Sequence, residues 1–279
     1  MNWGQSFREI RESKNMSLAE VSNTNFSVAQ LSKFERGDSD ITISKLFSAL
    51  EHMNVSMEEY IIICQNYEIT GFEKLLKKLN EFHTSNNINL LNNLLEEHTE
   101  DTLNRIMILS VMHDVEPKYN LNEEEKGYLT DYLMKVSEWG YYEIVLFANS
   151  VSIFNVDTLV ILAREMLHRI EYYKDISSHK RLIVQTLINV SIICIQDNQL
   201  KKANFILKNI NYLLSDETLL YEKNVYHFTT GYYSYKCGDK KKGLTFMNDS
   251  INTFKILGSQ NLAANYNNFL NEFIVYDKK

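Results

Sequence analysis

The sequence has few of the residues that form tight turns, with one proline, Pro117, and nine glycines in 279 positions. β-Hairpins depend on glycine and proline at particular backbone angles, so this scarcity argues against a β-rich fold and favours helices joined by short loops. Apolar residues make up 44% of the chain and charged residues 23%, a balance that supports a packed core and argues against disorder. We therefore predict an all-α protein.

Long apolar runs and paired cysteines are also missing. No stretch contains 18 consecutive apolar residues, which argues against a membrane-spanning helix, and the first residues lack the basic start and apolar core of a secretion signal. The sequence therefore predicts a cytoplasmic protein with no membrane partner. Cys64, Cys194 and Cys237 are far apart and form no CxxC pattern, which argues against a disulfide framework or a zinc site.

Catalytic signatures and excess positive charge are absent too. There is no Gly-rich phosphate loop, no Gly-x-Ser-x-Gly and no His-Glu-x-x-His. His83, His98 and His113 fall on three different predicted helices and lack a second ligand pair at metal spacing. We predict no enzymatic activity, cofactor or metal. The formal net charge is −7, unlike that of most nucleic-acid-binding proteins, so any DNA contact must come from a local cluster.

Apolar periodicity divides the chain into an N-terminal domain, residues 1–66, a linker, residues 67–71, and a helical domain, residues 72–279. Five short helices are predicted in the first domain. Ser17 and Glu20 have the spacing of a capping box, and Ser27 begins a helix that Gly37 ends. In the second domain the pattern predicts helices near 72–83, 87–98, 101–113, 122–137, 140–154, 156–173, 178–197, 199–214, 217–237, 240–257 and 260–275.

A faint internal repeat supports a helical array in the second domain. Lys201-Lys202-Ala203 and Lys241-Lys242-Gly243 each follow a polar turn, at an offset of 40 residues. This spacing suits the helix pairs of tetratricopeptide-like repeats, in which small residues such as Ala203 and Gly243 let paired helices approach closely. An irregular helical bundle is the alternative.

The segment from Ser27 to Gly37 has the pattern of a DNA-reading helix. Leu31 and Phe34 face a core, which leaves Ser27, Gln30 and Lys33 on a shared outer face. A helix of this length fits the major groove, where Gln pairs with adenine and Lys reaches guanine or phosphate. We predict a helix-turn-helix whose DNA-binding residues are Arg8, Ser27, Val28, Gln30, Lys33, Arg36 and Thr42.

The charge of this domain has a consequence for assembly. Six basic residues stand against nine acidic ones in residues 1–66, and affinity for DNA depends on phosphate neutralisation. One copy should therefore bind weakly, and a homodimer is expected, because two half-sites need two readers. The final helices, around Phe254 to Tyr276, are our candidate for part of the dimer interface.

The motif Leu31-Ser32, Phe34-Glu35-Arg36-Gly37, with Met16-Ser17 and Val21, resembles the helix-turn-helix of phage-repressor-type regulators. Together with the stretches Trp139-Gly140-Tyr141-Tyr142-Glu143 and Phe254-Lys255-Ile256-Leu257-Gly258, it is similar to the Rgg/GadR/MutR regulators of Gram-positive bacteria, over nearly the whole chain. The resemblance implies a buried ion pair between Arg11 and Glu35, a backbone-facing Arg8, and base reading by Gln30 and Lys33. Val28 and Ala29 depart from the usual polar residues, which would favour contacts with thymine methyl groups.

The resemblance also implies that a short apolar peptide pheromone binds in the concave groove of the helical repeats. Side-chain amides can satisfy the backbone of an extended peptide, and arginine can hold its carboxylate. The predicted peptide-binding residues are Asn149, Arg164, Asn189 and Asn224, with Arg169 as a second carboxylate anchor. The aromatic run from Tyr221 to Tyr235 forms either a pocket wall or core between repeats.

The sequence thus predicts a DNA-binding transcriptional regulator controlled by a peptide. Two alternatives stay open at this stage. One is a helical-repeat module that binds a partner protein, and the other is a DNA-binding regulator that responds to a non-peptide signal.

Overall fold

The computed structural model describes residues 3–22, 26–65, 71–85, 87–170 and 176–276. These residues form sixteen α-helices and one 3-10 turn, as the all-α prediction requires. By their contacts the chain divides into two compact units, residues 1–81 and 82–279. The predicted linker falls almost wholly on residues 66–70, which lie outside the described residues, so its position stays a prediction.

The first unit contains the five helices predicted for residues 1–66 and most of a sixth. They are α1 Trp3–Ser13, α2 Leu18–Val21, α3 Val28–Glu35, α4 Ile43–His52, α5 Met57–Cys64 and α6 Gly71–Thr84. The Ser17–Glu20 capping box is present, and Ser27 forms a second one with Gln30 at the start of α3. Gly37 ends α3 with a φ of 78°, in the left-handed region that glycine adopts at little cost.

The core of the first unit is built around aromatic side chains. Phe7 of α1 contacts Phe34 of α3 and Tyr60 of α5 edge-on, and all three residues are buried. Gly4 lets α1 lie directly on the end of α3, because a Cβ there would come within 1.8 Å of the Phe34 carbonyl oxygen. This packing fixes α3 and leaves its opposite face for solvent.

Ten helices lie in the described residues of the second unit. They are α7 Ile88–Glu97, α8 Thr102–Val115, α9 Glu123–Lys135, α10 Tyr141–Ala148, α11 Val156–His168, α12 Ser177–Gln196, α13 Leu200–Leu213, α14 Leu220–Lys236, α15 Lys240–Ile256 and α16 Gln260–Tyr276. Two predicted extents were too long. The helix expected at 140–154 ends at Ala148 and is followed by a 3-10 turn, Val151–Ile153. Asn155 then has an extended backbone and begins α11 by accepting a hydrogen bond from Thr158 N. The helix expected at 156–173 ends at His168, and residues 171–175 are outside the described residues.

The later helices of this unit form two layers. Helices α10, α12 and α14 contact one another in succession, and rings of α14 contact rings of α16, so these four form one layer, here called the inner layer. Helices α11, α13 and α15 pack against it from the other side. Gly231 of α14 and Gly243 of α15 touch through their backbones, which confirms the close approach predicted for Gly243. Within the described residues no helix has the length and apolarity to span a bilayer.

Candidate DNA-binding and ligand-binding surfaces

The start of α3 presents a polar face to solvent. Leu31, Phe34 and Glu35 are buried, whereas Ser27, Gln30 and Lys33 are exposed. Val28 is 43% exposed, so it can reach an apolar group such as a thymine methyl. The face expected to read DNA is therefore the solvent-facing side of α3.

Gln30 is held in place by three contacts. Its backbone N–H donates to Ser27 Oγ at 3.3 Å, and its Oε1 accepts hydrogen bonds from Ser27 N at 3.4 Å and from Lys45 Nζ at 3.2 Å. A paired contact with adenine needs both the oxygen and the amide nitrogen of glutamine. Base reading by Gln30 thus requires its oxygen to exchange these partners for the base. Lys45, which sequence reasoning left out of the site, lies beside Gln30 through this contact.

The other predicted DNA-binding residues lie on α1, at the end of α3 and before α4, where they have local partners. Arg8 Nε donates to Glu12 Oε1 at 2.7 Å, which raises the pKa of Arg8, and Arg36 Nε donates to Asp38 Oδ2 at 2.8 Å. Both arginines are exposed. Thr42 precedes α4 and makes no side-chain cap. Lys33 is exposed and forms no ion pair among the described residues. Of the three predicted DNA-binding cations, it is therefore the one whose charge no carboxylate neutralises.

Arg11 and Glu35 form the ion pair implied by the resemblance. Arg11 Nε and Nη2 donate to Glu35 Oε1 and Oε2, each at 2.7 Å, and Nη1 donates to Met16 O at 2.7 Å. The hydrogen bond to Glu35 raises the pKa of Arg11, and both residues are 7% exposed. The pair joins α1 to the end of α3 and therefore braces the DNA-reading helix.

Two adjoining cavities open on the inner layer of the second unit. The smaller, about 190 Å³, is lined by Ile192, Phe228, Asn265, Tyr266 and Phe269. The larger, about 360 Å³, is lined by Gln196, Tyr232, Lys236, Phe269, Glu272 and Phe273. Phe269 is common to both, so they form a continuous surface of α12, α14 and α16. Phe228 and Tyr232 line cavities and also pack on α16 rings, so the aromatic run serves as wall and as core.

The predicted peptide-binding residues do not come together. Asn189 is exposed one turn before Ile192 on α12, on the helix side that borders the smaller cavity. Asn224 instead donates from Nδ2 to Ser250 O of α15 at 3.0 Å, which directs its amide towards the other layer. Asn149 donates to Val145 O at 2.8 Å at the end of α10.

The two arginines are also engaged elsewhere. Arg164 of α11 lies over the ring of Phe205 in α13, with 4.7 Å between the guanidinium carbon and the ring centroid. Arg169 Nη1 donates to the carbonyl oxygens of Met134 and Val136 at 2.7 and 2.6 Å, and Nη2 pairs with Glu165. Arg169 therefore caps the end of α9. Its proposed role as a carboxylate anchor conflicts with these contacts.

The described part of the chain contains no candidate metal-binding cluster. There, no three His, Cys, Asp or Glu side chains are placed to share an ion. His113 Nδ1 is hydrogen bonded to Tyr119 O at 3.0 Å, and His179 packs against the Tyr141 ring. Each of these two histidines thus contacts another residue of the fold.

Family models match both parts of the chain. The model described as the C-terminal domain of the HTH-type transcriptional regulator Rgg matches residues 87–268. A helix-turn-helix model matches residues 7–60. The two matches together cover the DNA-reading face and most of the inner layer, whereas the cavity-lining residues Phe269, Glu272 and Phe273 lie beyond residue 268.

Solved structures are similar over nearly the whole chain. The SHP pheromone receptor Rgg2 of Streptococcus dysgalactiae is 32% identical, with 97% of this chain and 99% of that chain covered and a TM-score of 0.87. A putative transcriptional regulator from Listeria monocytogenes EGD-e is 22% identical, with 99% and 98% covered and a TM-score of 0.89. The PrgX/cCF10 complex is 17% identical, with 98% and 92% covered and a TM-score of 0.77; these last two likenesses concern the fold.

Proposed function

Because the chain belongs to the Rgg family of helix-turn-helix transcriptional regulators, we propose that a short apolar peptide controls its binding to promoter DNA. The observation that best supports this proposal is the pair of adjoining cavities on α12, α14 and α16. The receptor that is 32% identical to this chain is named for a pheromone, which agrees with a ligand of this class.

The cavities have the chemistry that an apolar peptide needs. An apolar cavity of about 150 Å³ can hold one benzene molecule, so the cavity of about 190 Å³ has room for one aromatic or branched side chain. Asn189 is exposed at its border and offers both a donor and an acceptor for a peptide backbone. We assign Asn189 to the ligand site, with Ile192 and Phe269 as its apolar wall.

DNA reading is assigned to the exposed start of α3. In this proposal Gln30 and Lys33 contact base edges or phosphate in the major groove, Val28 contacts a thymine methyl, and Ser27 fixes the helix start. Arg8, Arg36 and Thr42 contact the backbone. Lys45 belongs to this group because its ammonium already meets Gln30.

A homodimer is the proposed working form in the cell's cytoplasm. Ile256 and Leu257, at the end of α15, are 84% and 68% exposed, and both fall in the segment expected to form the interface. Large apolar side chains exposed side by side mark interaction surfaces. Two copies would present two α3 helices to the two halves of a DNA site.

The function is tested by titrating the full-length protein with promoter DNA from its own gene and neighbouring genes, with and without short peptides encoded nearby. Selective, salt-sensitive binding that a peptide strengthens or weakens is the expected result. Selective binding that ignores all the peptides would point to a non-peptide signal. If no DNA is bound selectively at any salt concentration, the protein-interaction alternative replaces this proposal.

Asn189→Ala is the sharpest variant for the ligand site. We expect it to abolish the peptide response while leaving DNA binding without peptide and the thermal midpoint unchanged, because Asn189 is exposed. Asn248→Ala on α15, also exposed, serves as the matched control. A normal response of Asn189→Ala at the usual peptide concentration would remove this residue from the site.

A further inference from the structure

The side-chain oxygen of Gln30 is already occupied in the folded protein. Gln30 Oε1 accepts hydrogen bonds from the backbone N–H of Ser27, at an N–O distance of 3.4 Å, and from Lys45 Nζ, at 3.2 Å. A backbone N–H and an ammonium group are donors only, so the amide must turn its oxygen, and not its nitrogen, towards them. The orientation of the Gln30 amide therefore follows from the chemistry of its two partners.

Lys45 reaches Gln30 from the neighbouring helix. Leu31 of α3 and Ala49 and Leu50 of α4 are buried in the same core, which fixes the two helices relative to each other. Lys45 lies in the first turn of α4 and is half-buried, so its backbone stays at a constant distance from the start of α3. The oxygen of Gln30 thus has a partner from outside its own helix in addition to the cap.

The amide nitrogen of Gln30 is the atom that remains for DNA. Gln30 is exposed, and its Nε2 donates to none of the residues that the structure describes. This nitrogen carries two N–H groups. While Ser27 and Lys45 hold the oxygen, the Gln30 amide offers these donors, and no acceptor, to the major groove.

The rest of α3 adds donors to this face and no carboxylate. Lys33, three residues after Gln30, is exposed, and its ammonium carries three N–H groups. Glu35 is the only acidic residue of α3, and it is buried against Arg11. The solvent-facing side of α3 is therefore matched to base edges that offer acceptors.

The four bases differ in this respect in the major groove. Guanine offers two acceptors, N7 and O6, and thymine offers one, O4, whereas adenine and cytosine each carry an amino donor. A paired contact with adenine needs Gln30 Oε1 as the acceptor for that amino group, so it requires the exchange of partners described above. Guanine needs no such exchange, because Nε2 can donate to it while Oε1 stays bound to Lys45 and Ser27.

We propose that Lys45 is a positioning residue that makes α3 read guanine, rather than adenine, at the base facing Gln30. This inference rests on the DNA reading proposed above for the start of α3. Lys45 acts through Gln30: it holds Oε1, and the amide nitrogen then selects a base edge without a donor. Loss of the ammonium leaves Oε1 with only the longer hydrogen bond from Ser27, so the same glutamine becomes able to pair with adenine.

The test uses the full-length protein and an operator that the wild-type protein selects from random DNA. The base pair read by Gln30 is first identified as the one whose preference disappears in Gln30→Ala. Four duplexes that differ only at this pair are then titrated by fluorescence anisotropy with the wild-type protein and with Lys45→Met. We expect the wild-type protein to bind the guanine duplex about tenfold more tightly than the adenine duplex. In Lys45→Met this ratio should fall by about tenfold.

Two further variants separate this role from a simple contact with phosphate. Lys33→Met removes the same charge and should weaken binding to all four duplexes alike while keeping the guanine-to-adenine ratio. Lys45→Arg retains a charged donor and should keep the wild-type ratio. If Lys45→Met instead weakens binding to all four duplexes alike, with an unchanged ratio and a smaller dependence on salt, Lys45 contacts phosphate and the inference is wrong.

The base preference of the wild-type protein gives an independent check. A preference for any base other than guanine at this pair would overturn the inference, as would a Gln30→Ala variant that keeps every base preference. In both cases selective DNA binding, and with it the proposed function, would still stand. Absence of selective binding by the wild-type protein would instead remove the proposed function, and this inference with it.

Discussion

Arg11 is the residue whose loss should most damage the DNA-binding unit. Arg11→Ala strands the Glu35 carboxylate, which is 7% exposed and accepts two of the arginine's three side-chain hydrogen bonds. Removing one partner of a buried pair costs about 3–5 kcal/mol. We expect much faster hydrogen exchange in α1 and α3, measured by mass spectrometry. Arg8→Ala, which breaks only the exposed pair with Glu12, should leave exchange nearly unchanged; equal exchange in the two variants would contradict this role of Arg11.

Gln30 and Lys33 should contribute differently to DNA binding. Gln30→Ala removes a side chain able to pair with adenine, so it should relax sequence preference by about 1–3 kcal/mol at one base position. Lys33→Ala should weaken binding to many sequences alike and reduce the slope of log K against log salt by about 0.9. Fluorescence anisotropy on a set of single-base operator variants at several salt concentrations measures both. Unchanged binding by both variants would remove these residues from the interface.

The residue roles that sequence reasoning missed depend on partners far away in the chain. Arg169 binds carbonyl oxygens of Met134 and Val136, and Trp139 donates from its backbone to Arg169 O at 2.7 Å and from Nε1 to Leu133 O at 3.0 Å. Through these contacts Trp139 and Arg169 together hold the end of α9. Gln185 of α12 likewise donates from Nε2 to Glu222 Oε1 of α14, 37 residues later, at 2.9 Å. No local sequence pattern predicts such pairs, because their members come into contact only in the folded protein.

Helices were predictable where short-range chemistry determines them. Ser17 and Ser27 cap their helices through residues three positions later, so the spacing alone identifies both starts. The break after Ala148 escaped prediction because Val151, Ile153 and Phe154 continue the apolar pattern beyond it, although Asn149 and Ser150 are residues typical of a turn. Asn189 and Asn224 lie on the inner-layer helices α12 and α14. The side chain of Asn224 nevertheless faces α15, a direction that helical periodicity does not determine.

The crossing of α14 and α15 gives a prediction at the level of the helix pair. In Gly243→Ala, the new Cβ would lie 2.7 Å from both Gly231 O and Tyr235 N, and these backbone atoms cannot move independently. Overpacking of this kind costs about 1–3 kcal/mol. Gly127→Ala in α9 meets nothing within 4 Å and should stabilise by about 0.5–1 kcal/mol through helix propensity. Urea unfolding compares the two; a neutral Gly243→Ala would contradict the close crossing.

At the scale of the whole molecule, weak DNA contacts of one copy must be combined with those of another. Six basic residues against nine acidic ones in residues 1–66 leave little charge for phosphate neutralisation. We propose that dimerisation compensates for this shortage of basic residues, because joining two binding units can raise affinity by about 10²–10⁴ without any new contact. Affinity for a two-part operator should therefore fall when dimerisation is lost, even when α3 is intact.

Ile256→Lys tests this dependence, because it places a charge where an exposed apolar side chain is proposed to meet a second copy. We expect sedimentation equilibrium to show a weaker dimer and the affinity for a two-half-site operator to fall by roughly a hundredfold, while affinity for an isolated half-site stays the same. Ile161→Lys on α11 is the matched control, since Ile161 is also exposed, at 50%, but lies outside the segment from Phe254 to Tyr276. If Ile256→Lys keeps the wild-type dimer constant, the interface lies elsewhere. If it dissociates the dimer yet retains operator affinity, each copy reads DNA alone, and the weak charge of its helix-turn-helix is offset by base contacts rather than by a partner.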